Sequence, residues 1–182
     1  MKQDIRKTIL FTLLLMTTFL VTMNGSRAQE STMETLAQGN TAFAFDLYHT
    51  VLRNTESQNK NLVFSPYSIS QALAMVYVGA NGNTQSQMQE TLNFTIPQDD
   101  LAQTFADLNT SITERDPIPD IDAQRMTLNI ANALWGQEGF PFLSPYVETI
   151  NENFGAGLQL TDFQNAPDDA RQAINDWAAE QT

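Results

Sequence analysis

Three serines at the start of an apolar segment are the first residues that could do chemistry. Ser65, Ser68 and Ser70 directly precede an apolar run at residues 73–78. A serine hydroxyl acts as a nucleophile only beside a general base, usually a histidine oriented by a third group. The chain has one histidine, His49, in a predicted helix. A single histidine builds neither a catalytic triad nor a metal-ligand set, so we predict a surface or packing role for it.

A second serine pattern, SQNK at residues 57–60, matches the S-x-x-K motif of serine β-lactamases and penicillin-binding proteins. That chemistry places the serine and the lysine on one helical turn, whereas residues 54–61 form a polar loop in our prediction. No S-D-N or K-T-G motif accompanies the pattern. A penicillin-recognising hydrolase is therefore the weakest of the functions that the sequence allows, and S-D-N and K-T-G motifs further along the chain would be needed to support it.

The other motifs that would mark an enzyme are missing from the sequence. It contains no G-x-S-x-G, H-E-x-x-H, P-loop or G-x-G-x-x-G motif. The DID triplet at residues 120–122 lacks the glycine and glutamate of a calcium loop. We predict that the chain is not an enzyme and has no catalytic residue, metal or cofactor.

The elements that position the serines follow from hydrophobic periodicity and from capping residues. Ser65 is a helix cap and Pro66 suits the first turn, so the apolar run is a helix that ends by Gly79. Further helices are predicted at about residues 32–53, from a capping box at residues 84–87, after residues 99–100, at residues 144–155 and from residue 167. Strands are predicted at residues 62–64, 126–135 and 158–163. In the second strand, Asn132 falls on the face that should be buried.

The N-terminus has the pattern of an export signal. Three basic residues precede an uncharged, mostly apolar run at residues 9–23, and the triplet SRA at residues 26–28 suits signal peptidase. We predict a signal peptide at residues 1–28, with an uncleaved anchor as the alternative. The mature chain would be secreted or extracellular, or would lie in the periplasm or cell envelope of a Gram-negative bacterium.

The charge of the chain excludes several partners. The whole chain has a formal net charge of −12. Residues 1–28 hold four basic residues and one acidic residue, so residues 29–182 have five basic and 20 acidic residues, a net charge of −15. Such a surface repels nucleic acid and, after signal cleavage, anionic membranes. The absence of cysteine excludes disulfides and thiol chemistry.

Several segments, in order, resemble the serpin family. NLVFSPYSIS at residues 61–70, ALAM at 72–75 and GANGNT at 79–84 are similar to the second and third helices of serpins. NIANALWGQEGFP at residues 129–141 resembles the long central strand of the family, and AINDW at residues 173–177 resembles its sixth helix. The resemblance runs from about Met33 to the last residue.

The resemblance implies a mixed α+β fold: the N-terminal part of the serpin fold, truncated, with about six helices and strands of the large central sheet. Residues 29–182 would be an incomplete serpin domain without the reactive loop. The complete protein would be a suicide-substrate inhibitor of a serine protease, with a cysteine protease as the second class of target. A non-inhibitory serpin acting as a carrier or chaperone is the alternative.

The resemblance also assigns a role to three polar residues. Ser65 and Ser68 match shutter positions, which lie beneath the point where the serpin sheet parts, and Asn132 matches a strand residue that reaches the same region. Polar groups with exchangeable hydrogen bonds allow strands to separate there. The helix that binds sulfated polysaccharides in some serpins corresponds to residues 100–115, where Asp100, Asp107 and Glu114 stand against Arg115 alone. Heparin-type activation is therefore not expected.

Overall fold

The computed structural model describes residues 2–53, 61–114, 130–155 and 157–181, with side chains from residue 28 onward. This part of the chain contains six helices and two short strands, which confirms the mixed α+β class. The elements in chain order are α1 (Lys2–Arg53), α2 (Pro66–Tyr77), α3 (Gly82–Thr91), α4 (Gln98–Thr113), β1 (Leu134–Gln137), α5 (Ser144–Asn153), β2 (Leu158–Thr161) and α6 (Pro167–Gln181).

The first helix is longer than the sequence predicts. It runs without a break from Lys2 to Arg53, so the predicted start near residue 32 is wrong. Ser31 is an interior residue whose carbonyl accepts a hydrogen bond from Thr35 Oγ1 at 2.8 Å. No proline interrupts residues 2–53, so nothing forces the chain out of the helix before the apparent capping box. No helix among the described residues is long and apolar enough to cross a bilayer.

The structure confirms the predicted N-cap of α2 and corrects the predicted N-terminus of α3. Ser65 is the N-cap of α2, and the helix ends at Tyr77, before Gly79. Helix α3 begins two residues before the predicted capping box because Asn81 caps it, accepting from the Gly82 N–H at 2.6 Å. The predicted strand at residues 62–64 has no regular secondary structure. No described strand lies beside it, and a strand needs a partner.

The second half of the described chain is a β-α-β unit followed by a helix. Strands β1 and β2 are parallel, with Leu134 opposite Leu158, and α5 connects them. Helix α5 starts at Ser144 itself and has Leu143 at the N-cap position, so the predicted serine cap is wrong. The helix ends before Gly155, whose φ of +74° suits glycine. Residues 126–129 of the predicted strand lie outside the described residues, and regular pairing begins at Leu134.

The core lies between α1, α2, α4 and α5, with α2 packed against α1, α3 and α4. A row of aromatic rings crosses it: Tyr77 to Phe94 at 5.2 Å, Phe94 to Phe105 at 6.0 Å, and Phe105 to Phe154 at 6.1 Å between centroids. Phe105 is fully buried, and burial of such a side chain contributes about 1.5–3 kcal/mol. This row fixes α4 and α5 around α2, the helix that carries the serines.

Candidate functional site

The first polar cluster lies at the N-terminus of α2. Ser65 Oγ accepts the backbone N–H of Ser68 at 3.3 Å, which satisfies one of the free donors of the first turn. The two hydroxyl oxygens are 3.0 Å apart, so one also donates to the other. Ser65 is exposed and Ser68 is half-buried. The serines therefore form a hydroxyl pair at the edge of the core.

The second polar cluster lies one turn further along α2 and is deeply buried. Ser70 is 0% exposed and Gln71 is 2% exposed. The Ser70 hydroxyl donates to Oδ1 of Asn40 on α1. Gln71 Oε1 accepts from Nδ2 of Asn132, in the segment that leads into β1, at 2.9 Å. Helix α2 is thus hydrogen-bonded through side chains to two different elements.

The structure brings only two of the three predicted shutter residues together. Ser65 and Ser68 are hydrogen-bonded to each other, whereas Asn132 bonds to Gln71. Asn132 is half-buried, in partial agreement with the face predicted for it. Sequence reasoning missed Asn40 and Gln71. Two consecutive polar residues inside an apolar helix were the available signal, because a buried polar side chain needs a partner.

Asn40 has an incompletely satisfied side chain. The residue is 9% exposed, and its Nδ2 is a buried atom without a hydrogen-bond partner among the described residues. A buried amide N–H without a partner is costly, since it has lost its bonds to water. Between the described side chains of α1 and α2, the Ser70–Asn40 hydrogen bond and the packing around it hold the contact.

Two tyrosines connect α2 with the helices on its other sides. Tyr67 donates to Asn109 Oδ1 on α4 at 2.7 Å, and burial raises the pKa of Tyr67 to about 12. Tyr146 on α5 donates to the Met75 carbonyl at 3.0 Å, and burial raises its pKa as well. Both hydroxyls stay protonated near neutral pH and act as hydrogen-bond donors.

The chemistry available in these clusters is hydrogen bonding. His49 is exposed on α1, with its ring edge-on to Tyr48 at 5.8 Å between centroids, in agreement with its predicted surface role. Among the described residues, no group of histidines, aspartates and glutamates could hold a metal ion. The SQNK and DID patterns lie outside the described residues.

The acidic face of α4 is present in the structure. Asp99 and Asp100 lie in its first turn, and Asp107 accepts from Gln103 at 2.9 Å and from Gln29 on α1 at 2.7 Å. Arg115 lies outside the described residues. A face that carries these carboxylates does not attract a polyanion. That the full-length protein is not activated by heparin-type polysaccharides stays a prediction.

Comparison with known proteins identifies the family. The family model described as serpin (serine protease inhibitor) matches residues 38–182. The leukocyte elastase inhibitor of Xenopus laevis is 39% identical over 150 residues, which are 82% of this chain and 37% of that protein. Leukocyte elastase inhibitor A of Mus musculus gives the same figures, and the human leukocyte elastase inhibitor is 36% identical. The chain belongs to the serpin family, and it spans little more than a third of the length of these relatives.

Solved structures give the same result for the fold. Ovalbumin from emu (Dromaius novaehollandiae) superposes with a TM-score of 0.63 at 26% identity, over 81% of this chain and 39% of that one. A cleaved serpin 42Da superposes with a TM-score of 0.68 at 23% identity, over 82% and 38%. The predicted serpin fold is confirmed. The description of the family model and the names of the relatives are those of protease inhibitors and not of enzymes, which confirms the prediction that the chain is not an enzyme.

Proposed function

We propose that this chain is the N-terminal part of a protein that inhibits a serine-type endopeptidase. The observation that carries the proposal is the 39% identity to leukocyte elastase inhibitors over 82% of the chain. The two polar clusters on α2 support it, because an inhibitor of this family must part its sheet near that helix. A cysteine protease is the second class of target.

The mechanism is a conformational trap. The protease serine attacks a carbonyl in the exposed reactive loop, the peptide bond breaks, and an ester joins the loop to the protease. The loop then inserts into the large sheet as an added strand and carries the protease with it. Insertion distorts the protease before water can hydrolyse the ester. The inhibitor is consumed in the reaction.

Exposed apolar side chains support the view that more of a serpin domain covers this chain. Leu73 and Val76 on α2 are 37% and 44% exposed, and Leu160 on β2 is 53% exposed. These side chains point away from the core formed by the described helices. Further strands packed on these residues would bury them, since large apolar patches are rarely left in water.

We further propose that Ser65, Ser68 and Asn132 control the parting of the sheet. The hydroxyl pair and the amide of Asn132 make hydrogen bonds that water can replace. A seam closed only by packed apolar groups would separate less readily.

We also propose that the protein is exported, that residues 1–28 are removed, and that Gln29 is the first residue of the mature protein. Helix α1 passes through this position, so residues 26–29 must unwind before a signal peptidase can bind them. N-terminal sequencing of the exported protein tests this boundary: a first residue other than Gln29 contradicts it, and a retained Met1 in a membrane fraction supports the uncleaved anchor.

The second candidate is a non-inhibitory serpin that acts as a carrier or chaperone. The likeness to ovalbumin favours keeping this candidate. The hinge of the reactive loop would distinguish the two, because small residues there allow insertion and bulky residues or prolines block it. The serpin match includes residues 57–60, so the SQNK pattern gives no support to a penicillin-recognising hydrolase.

The direct test uses the full-length protein and a panel of trypsin-, chymotrypsin-, elastase- and subtilisin-like proteases, with a papain-like cysteine protease added. Denaturing gels should show a band that contains both proteins and survives boiling in detergent. The matched control is the same protease with its active serine chemically blocked, which should give no such band. Cleavage by every protease without a covalent band would favour the non-inhibitory serpin.

A further inference from the structure

Two consecutive residues of α2 tie this helix to two different elements. Successive side chains of an α-helix point about 100° apart, since the helix has 3.6 residues per turn. Ser70 therefore reaches Asn40 on α1, and Gln71 reaches Asn132 in the segment before β1. The two hydrogen bonds join residues that are 30 and 61 positions apart in the chain.

The two contacts differ in how readily they can open. Asn40 and Ser70 are both buried, at 9% and 0% exposed. Opening that contact would leave two polar groups without water and without a partner, which is costly. Asn132 is half-buried and follows the exposed residue Ala131. When its segment moves outward, the Asn132 amide can bond to water, and only the Gln71 carbonyl, in a residue that is 2% exposed, is left without a partner. Opening this contact therefore costs less than opening the Asn40–Ser70 contact, which leaves two such groups.

Helix α2 is also held at its C-terminal end. Gln98 Nε2 donates to the carbonyls of Tyr77 and Ala80 at 2.6 and 2.9 Å. Tyr146 holds the Met75 carbonyl. Helix α2 is thus hydrogen-bonded to α1, α4 and α5, whereas among the described residues the Gln71–Asn132 pair is the side-chain hydrogen bond that joins the segment at residues 130–133 to it.

We propose that Gln71 is a positioning residue. Its side-chain carbonyl accepts the hydrogen bond from Asn132 and so forms a latch that holds the segment leading into β1. The Asn40–Ser70 pair anchors α2 to α1. The proposal rests on the proposed inhibitory function, because a releasable contact has a use only where a sheet must part. A single bond between neutral amides slows opening without preventing it. Gln71 thus adds a second, deeper point of control to the serine pair at the N-terminus of α2.

The test compares Gln71→Ala, Asn132→Ala and the double variant in the full-length protein. Each single variant should form polymers or a latent form on mild heating about 5- to 30-fold faster than the unchanged protein, the range expected when one contact is lost. The double variant should be no faster than the faster single variant, because both changes remove the same contact. Native gels sampled over time give the rates.

A matched control comes from a second amide pair in the same chain. Gln85 Nε2 on α3 donates to Gln98 Oε1 on α4 at 2.6 Å, a contact of the same chemistry that does not involve residues 130–133. Gln85→Ala should lower the urea midpoint of unfolding and leave the polymerisation rate unchanged. If Gln71→Ala fails to fold, Gln71→Leu keeps most of the side-chain volume, and it should accelerate amide hydrogen exchange in residues 130–134.

The outcomes separate the latch from the inhibitory function. The latch is wrong if the two single changes multiply each other's effect on the polymerisation rate in the double variant. It is also wrong if the single variants polymerise no faster than Gln85→Ala. If the unchanged protein forms a covalent complex with a protease and the two variants show no coupling, only the latch is wrong. If coupling is found and no covalent complex forms with any protease, the contact is real and the inhibitory function is wrong.

Discussion

Ser65 and Ser68 illustrate how hydroxyl groups serve a helix that carries no catalytic base. The side chain of Ser65 accepts the N–H of Ser68, and the two hydroxyls bond to each other. Ser65 alone accounts for the cap, so Ser68 is free for a different role. Because Ser68 is half-buried beside the core, we expect a large side chain at this position to push against whatever packs over α2.

Ser68→Phe in the full-length protein should promote premature opening of the sheet. Overpacking typically costs about 1–3 kcal/mol, and we expect polymers or a latent form instead of simple unfolding because the strain acts at the shutter. Size-exclusion chromatography after mild heating measures the loss of monomer. A variant that remains monomeric and fully inhibitory would argue against a shutter at Ser68.

Two variants serve as controls for Ser68→Phe. Ser86→Phe makes the same substitution at an exposed serine of α3 and should leave the monomer intact. Ser65→Ala removes the cap without adding volume and should lower the stability of the native state by about 1 kcal/mol. Polymer formation by Ser86→Phe would show that an added aromatic ring alone is sufficient.

At the scale of elements, the sequence was most informative where a residue type forces a backbone geometry. Pro66, the acids at residues 99–100 and Pro167 placed the starts of α2, α4 and α6 correctly to within one or two residues. Local signals failed where the outcome depended on distant residues. The capping box at residues 31–34 lies inside a longer helix, and residues 62–64 have no described strand beside them.

The site was predictable only in part for the same reason. The cap formed by Ser65 depends on a residue three positions away and was predicted. The bonds from Asn40 to Ser70 and from Asn132 to Gln71 join residues 30 and 61 positions apart, and no periodicity encodes such pairs. Three-dimensional packing decides which buried polar residues meet.

The junction between β2 and α6 gives a prediction about pH. The Asp162 carboxylate accepts hydrogen bonds from Gln137 Nε2, Asn165 Nδ2 and the N–H groups of Gln164 and Asn165. The bond from Gln137 is the main cause that lowers the pKa of Asp162 to about 2, from its usual 3.8. A lowered pKa stabilises the folded state above the unfolded value, and this contribution is lost as pH falls from about 4 to about 2.

Asp162→Asn should therefore reduce the fall in stability between pH 4 and pH 2, measured by urea unfolding across that range. The difference should be small, because Asp162 is only half-buried and water screens its charge. Equal acid profiles for the unchanged protein and Asp162→Asn would contradict the role of this junction.

At the scale of the whole molecule, we propose that the chain forms part of a conformational trap. The described helices bury a core around α2 and leave apolar side chains on α2 and β2 exposed. The chain matches 37% of the length of the leukocyte elastase inhibitors. In such a trap, an inserted reactive loop adds a strand and its backbone hydrogen bonds to the large sheet.

The most direct test of this proposal is to measure the urea midpoint of unfolding of the full-length protein before and after a protease cleaves its reactive loop. If the loop inserts, the cleaved protein gains a strand and its midpoint should rise well above that of the intact protein. Cleavage within an N-terminal loop serves as the control and should not raise the midpoint. An unchanged or lower midpoint after reactive-loop cleavage would contradict the trap.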